Sequence, residues 1–373
     1  METLDDLTAK CIRCGFCLES CPTYGLTGSE LESPRGRIYL VKSAAEGRLK
    51  WDDVATHLDQ CLGCRACETA CPSGVEYGKV LEIARSNIPV SLVRRLFLMT
   101  VTNPKLLRLS LRIKPPMWFL NKLRMQPSVI AFESPKQLAR RVWPEMYADG
   151  PTKGPIAMLE GCAMRELFPS VNEATRRVLT RLGFEVSTHD LGCCGALHGH
   201  GGQLKVAHEM VSKLKARAGS FVVASNSAGC GSWLKENGLN TKDISELLGE
   251  LPLESYTAKP LRVTYHDACH LAHGQKITKQ PRDVLKRIQG VELVEMTDST
   301  RCCGSAGTYN VFQPDIATEL VRQKTMAIEA TAADIVILGN PGCHSWIAQH
   351  LKSGQRVMHL VEFVEAIASG VDP

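Results

Sequence analysis

Two short stretches constrain this chain more than anything else in it. Residues 11–22 read CIRCGFCLESCP and residues 61–72 read CLGCRACETACP. Each is C-x2-C-x2-C-x3-C-P, the ferredoxin-type spacing for a four-iron, four-sulfur cluster. Three thiolates in one tight loop can cap three irons of a cube. The fourth, leaving the loop beside a proline, is free to reach the neighbouring cluster. On that pattern Cys11, Cys14, Cys17 and Cys71 hold one cluster, and Cys61, Cys64, Cys67 and Cys21 the other. Structural zinc also favours C-x2-C, but four ligands per site leave no use for a third cysteine at fixed spacing in both copies. The spacing therefore predicts two [4Fe-4S] clusters.

The remaining cysteines extend the pattern. Of 16 in 373 residues, those outside the two runs fall in 162–230 and 269–343. A chain of this length is expected to form two to three domains. Its start, METLDDLTAK, has neither the basic nor the apolar region of an export signal. No uncharged apolar run is long enough to span a bilayer. The expectation is a cytoplasmic protein whose cysteines serve metals or redox chemistry rather than disulfides.

Residues 1–88 form the cluster-binding unit. Between the cysteine runs, Ile38, Leu40, Val41, Val54 and Leu58 recur at helix-compatible intervals, with Ser33-Pro34 as a helix start and Gly47 as a stop. Arg35 and Arg37 are either charges beside an anionic cluster or solvated helix-start residues. Residues 89–152 read as a connector. From Arg85 to Phe132 there are nine basic residues and no acidic one, against a net charge of +5 for the whole chain. Leu, Phe, Met and Trp interleave with these charges, and Pro104, Pro115 and Pro116 divide the stretch into short helices. Basic amphipathic helices of this kind favour anionic membrane surfaces or a partner, so Arg94, Arg95, Lys105, Arg108, Arg112 and Trp118 are candidate contacts. No reader motif points to nucleic acid.

From residue 153 the chain repeats itself. IAMLEGCAM parallels VTYHDACHL, the two CCG triplets correspond, and FVVASNSAGCGSWL parallels IVILGNPGCHSWI. The offsets are 107 (Cys162 to Cys269), 109 (Cys194 to Cys303) and 113 (Cys230 to Cys343), a duplicated module with loop insertions. Each copy, 153–255 and 256–373, alternates apolar strands with helical stripes, which predicts parallel α/β sheets. A capping box at Ser170-x-x-Glu173 is expected to start one helix, and Gly183 to end it. The cysteines fall just past strand ends, where open α/β sheets place their ligands. Cys162, Cys193, Cys194 and Cys230 should therefore converge, as should Cys269, Cys302, Cys303 and Cys343. The fold class expected is a helical ferredoxin-like domain followed by a duplicated α/β module. His198, His200, His266, His270, His273 and His344 crowd the same loops as candidate ligands, cluster-tuning donors or quinone contacts.

The C…CCG…C modules resemble the cysteine-rich CCG domains of the heterodisulfide reductase superfamily. With the segments CGFCLESCPTYGLTG, SPRGRIYLVK, HLDQCLGCRACETACPSGV, LEGCA, GCCGA, SAGC and RCCGSAGTYN, the whole arrangement resembles the iron–sulfur subunits of bacterial glycolate oxidases. The resemblance implies electron transfer from FAD-bearing flavoprotein subunits toward a membrane quinone, at the inner face of the cell membrane, without a flavin site on this chain. The equivalent subunits of lactate or glycerol-3-phosphate dehydrogenases are the neighbouring readings. One departure stands out. Heterodisulfide reductases carry a further cysteine three residues before the last, where this chain has Ser227 and Asn340. Additional iron–sulfur clusters, zinc, or a thiol pair acting as a disulfide or quinone reductase are therefore all open at the CCG modules.

Overall fold

The computed structural model describes residues 3–112, 143, 150, 152–187, 189–352 and 354–373. The first part is helical: α1 (Leu4–Ala9), α2 (Pro22–Thr27), α3 (Pro34–Ala45), α4 (Trp51–Asp59), α5 (Ala66–Thr69) and α6 (Tyr77–Ser86). Leu7, Ile38, Val41, Val54, Leu58, Val80 and Leu81 form its core, at the helical spacings expected. Ser33 caps α3 by accepting from the Gly36 amide, with Pro34 in the first turn, where a missing N–H costs nothing. The chain turns away past the end of α3 through Gly47.

The connector begins as α7 (Leu92–Thr102) and α8 (Pro104–Arg112), broken at Pro104 as expected. Leu98 and Leu107 are buried, and both helices pack against the helix Cys162–Leu167. Two of these basic residues are engaged by acids of the protein itself, Arg94 half-buried and Arg108 on the surface. Arg94 pairs with Asp59 at 2.8 Å and lies over the Phe312 ring, and Arg108 donates twice to Glu166, each at 2.8 Å. Arg95, Lys105 and Arg112 are exposed. Trp118 and the rest of the connector from residue 113 to 142 lie outside the described residues.

Two four-stranded sheets follow. The first contains β1 (Pro155–Leu159), β2 (Glu185–Ser187), β3 (Val222–Ser225) and β4 (Thr241–Asp243), in the order β2-β1-β3-β4. The second contains β5 (Thr257–Tyr265), β6 (Gln289–Leu293), β7 (Ile335–Leu338) and β8 (Arg356–His359), in the order β6-β5-β7-β8. All neighbours are parallel, and the two orders correspond under the repeat. β7 is buried at every residue, the signature of a sheet covered on both faces. One local expectation fails: the helix after β1's loop starts at Pro169, so Ser170 lies inside it and makes no cap. Proline supplies the start that Ser170 was expected to give. The repeats also share a core, in which Ile156, Val178 and Leu179 meet Tyr265, Leu285 and Phe363. Arg177 and Arg181 reach across to the fully buried Glu365, at 2.6 and 2.9 Å.

Candidate metal centres

The two ferredoxin runs wall two adjoining small cavities. Cys11, Cys14, Cys17 and Cys71 line one, and Cys21, Cys61, Cys64 and Cys67 the other, with Cys67 touching both. The fourth cysteine of each run thus lies with the first three of the other, the exchange that the spacing implies. The donor sets, four thiols apiece on short loops, fit two cubes. Their settings differ. Cys14 is exposed and Cys11, Cys17 and Cys71 are part-buried, whereas Cys21, Cys61, Cys64 and Cys67 are buried. Burial pushes the Cys64 and Cys67 thiols well above the ordinary range, a cost that coordination to a cation offsets.

Both arginines flanking this region lie beside the cysteines. Arg37 is 1% exposed and donates to Glu32 Oε2 at 2.6 Å, to Thr23 Oγ1 at 3.0 Å and to the His57 carbonyl at 2.7 Å. Burial works against its charge, while the nearby Cys61 and Cys21 sulfurs favour it. Arg35 lines the more exposed cavity and is held by Glu30 at 2.6 Å. The Gly63 amide and the Tyr77 hydroxyl donate to Cys61 Sγ, at 3.4 and 3.5 Å. Such donors raise a cluster's potential.

All eight cysteines of the duplicated modules line one cavity of about 250 Å³. Convergence within each module was expected; their merger was not. It follows from the shared core, which turns the carboxyl edges of both sheets toward each other. Cys162 and Cys230 lie in the first turns of the helices after β1 and β3, and Cys343 occupies the matching place after β7. Each doublet sits in a turn that demands glycine. Gly195 (φ +86°) and Gly304 (φ +90°) hold left-handed backbone, and a Cβ there would stand 2.8 Å from the Ala207 carbonyl oxygen and 2.7 Å from that of Ala317. The Cys162 and Cys193 sulfurs are 3.6 Å apart. Contact with Cys162, then with Cys194, holds Cys193 well below the ordinary thiol range, while contact with Cys193 pushes Cys162 up.

The two positions that depart from the heterodisulfide reductase pattern still serve sulfur. Asn340 Nδ2 donates to Cys343 Sγ at 3.5 Å, and contact with Cys194, helped by a hydrogen bond with Ser227, holds Cys230 below the ordinary thiol range. Each copy thus places a hydrogen-bonding side chain beside its last cysteine. Of the six candidate histidines, five are occupied. His198 bonds to Thr102 and Gln203, His200 to Glu82, His270 to the Gly63 carbonyl, His273 to Thr69, and His344 to the Val357 carbonyl. Residues that sequence reasoning missed include Arg65, which lines this cavity and pairs with Glu68 and Glu236, and Tyr309, whose hydroxyl donates to the Gln60 carbonyl at 2.9 Å. Both tie the helical part to the modules through contacts far apart in sequence.

A 4Fe-4S dicluster domain model matches residues 8–75, and a cysteine-rich domain model matches twice, over 156–235 and 263–348. Matches and sites together define an iron–sulfur protein with a dicluster domain ahead of a duplicated cysteine-rich domain. Over 97% of its length the chain is 36% identical to the glycolate oxidase iron-sulfur subunit of Escherichia coli, covering 94% of that protein. The chain belongs to the family of glycolate oxidase iron–sulfur subunits. It is also 29% identical to a fumarate reductase (CoM/CoB) component of Methanothermobacter marburgensis, over 95% of this chain and 71% of that one. A component of the dihydromethanophenazine:CoB–CoM heterodisulfide reductase of Methanosarcina acetivorans is 26% identical, over 90% and 87%.

Proposed function

We propose that this chain is the electron-transfer subunit of a glycolate, or closely related 2-hydroxy-acid, oxidase complex. It would take electrons from an FAD-bearing subunit and deliver them toward a membrane quinone. In that assignment Cys11, Cys14, Cys17 and Cys71 hold one [4Fe-4S] cluster, and Cys21, Cys61, Cys64 and Cys67 the other. Such clusters carry single electrons. The protein's part is to hold them, exclude water from the inner one and set its potential through Arg37, Tyr77 and the Gly63 amide.

The observation that carries the reading is the continuity of the three cavities. Cys67 borders both ferredoxin-type sites, and Cys61 borders the inner site and the cavity of the eight CCG cysteines. A path therefore runs from an exposed end to a buried one. At the exposed end Ile12 and Phe16 are 69% and 68% exposed beside Cys11, Cys14 and Cys17, an apolar collar suited to a redox partner. Stopped-flow mixing of the anaerobic complex with glycolate tests the proposal. Bleaching near 400 nm that follows flavin reduction is expected, and flavin reduction with the clusters left oxidised would refute it.

Among the described residues no helix is long and apolar enough to cross a membrane. We assign contact with the membrane to the surface of α7 and α8. Leu92, Leu96 and Met99 are exposed at helical spacing on α7, and Leu106 and Leu109 on α8, alongside the exposed Arg95, Lys105 and Arg112. Apolar side chains among cations suit the headgroup region of an anionic bilayer.

A further inference from the structure

The two cysteine-rich modules are alike in fold and unlike at one pair of buried positions. His266, just past β5, occupies the place that Leu159 holds in the first module, 107 residues earlier, the same offset as Cys269 to Cys162. Lys324 occupies the place of Leu214, counting from Ala317 and Ala207, which face the two CCG glycines. All four side chains are buried. An apolar pair in one copy is thus an imidazole and an amine in the other.

Burying those groups without a purpose is costly. His266 is 0% exposed, and neither ring nitrogen is closed by a hydrogen bond of normal geometry. Of the six histidines around the CCG loops it alone is held by nothing closer than a loose contact with the Ser299 backbone. An imidazole nitrogen without a close hydrogen-bond partner can offer its lone pair to a metal ion. One donor atom of His266, the Cys303 sulfur and the Cys343 sulfur lie within 4.8 Å of one another. Lys324 Nζ donates to the Asp298 and Ser299 carbonyls, at 2.6 and 3.2 Å.

We infer that the second cysteine-rich module binds a single ion of the zinc class through His266, Cys303 and Cys343, while the first module has sulfur donors only. A nitrogen and two sulfurs within 4.8 Å of one another suit a single ion. With zinc–sulfur bonds of about 2.3 Å, tetrahedral donors stand about 3.8 Å apart, a small rotamer adjustment from the observed arrangement. Thiolates on separate irons of a cube are held further apart by the iron–iron edges. Cys303 and Cys343 also line the large cavity, so the fourth coordination position faces it. Three protein ligands and an open position form the arrangement of a reactive zinc site rather than a closed structural one.

Metal analysis and zinc-edge X-ray absorption on the full chain, purified anaerobically from zinc-replete medium, test this. One zinc per chain is expected, with a nitrogen and at least two sulfurs in its shell. His266→Leu, which installs the residue of the first module, should lower zinc occupancy at least about tenfold while iron is retained. His266→Cys should keep the zinc and lose the nitrogen scatterer, and this reading stands even if the leucine variant fails to fold. Absence of zinc from the unaltered chain, or a zinc shell unchanged in His266→Cys, would overturn the inference. Either result leaves the iron of the ferredoxin-type sites, and so the electron-transfer proposal, untouched.

Discussion

At the scale of single residues, burial sets the pH dependence of this fold. Asp243 is fully enclosed, and desolvation raises its carboxyl to about 6, the two Ser245 hydrogen bonds only partly opposing it. A raised acid contributes stability that is complete below its unfolded value near 4 and is lost as pH rises through 6. Two pKa units correspond to about 3 kcal/mol. Asp243→Asn, which keeps the capping oxygen, should therefore stabilise the protein at pH 8 by about 1–3 kcal/mol and leave pH 4.5 nearly unchanged. Urea midpoints at the two pH values check this. His359 has the opposite sense. Burial lowers it to about 3, so its contribution is present above pH 6.5 and declines as pH falls toward 3. The glycines of the two doublets are equally specific. Gly304→Ala should cost about 1–3 kcal/mol from its left-handed backbone, more from the clash with Ala317, and on the zinc proposal should lower occupancy of the site that includes Cys303. Anaerobic unfolding with metal analysis reads both effects.

The grouping of the cysteines was legible at this scale because it follows from local spacing. His266 was not separable from its five neighbours, whose hydrogen bonds depend on the fold. Only the tertiary structure sets His266 apart from those five, without a close hydrogen bond at either ring nitrogen. The contacts of Arg94 and Arg108 were hidden for the same reason, since Asp59 and Glu166 lie far from them in sequence and beside them in space.

At the scale of elements, α7 and α8 have two faces that should respond differently. Leu98 is fully buried, and Leu98→Ala should cost about 2–5 kcal/mol in unfolding free energy. Leu96 is more than half exposed, so Leu96→Glu should leave the unfolding midpoint within about 0.5 kcal/mol of its starting value. It should nonetheless reduce co-sedimentation with anionic phospholipid vesicles, and retention of full vesicle binding would remove α7 from the membrane account. The break at Pro104 and the cap at Ser33 were readable from local chemistry. Ser170 was misjudged because a preceding proline is as good a helix start as a capping box, and pattern alone does not rank them.

For the whole molecule, the repeat announced two like sheets, and the structure contains them with corresponding strand order. What the repeat did not announce is that the two modules bring their eight cysteines around one cavity. That depends on Glu365 meeting Arg177 and Arg181 and on a core shared between modules, none of which has a local signature. The same packing sets the inner ferredoxin-type site against the cavity, through Cys61, Arg65 and Tyr309. The account therefore rests on two clusters close enough to share Cys67's surroundings. Iron and sulfide analysis combined with EPR of the dithionite-reduced, anaerobically purified chain tests it most directly. About 8 iron atoms per chain from these two sites, with a spectrum broadened by coupling between neighbouring clusters, is the result expected. Fewer than about 4 iron atoms, or two magnetically isolated signals, would contradict it.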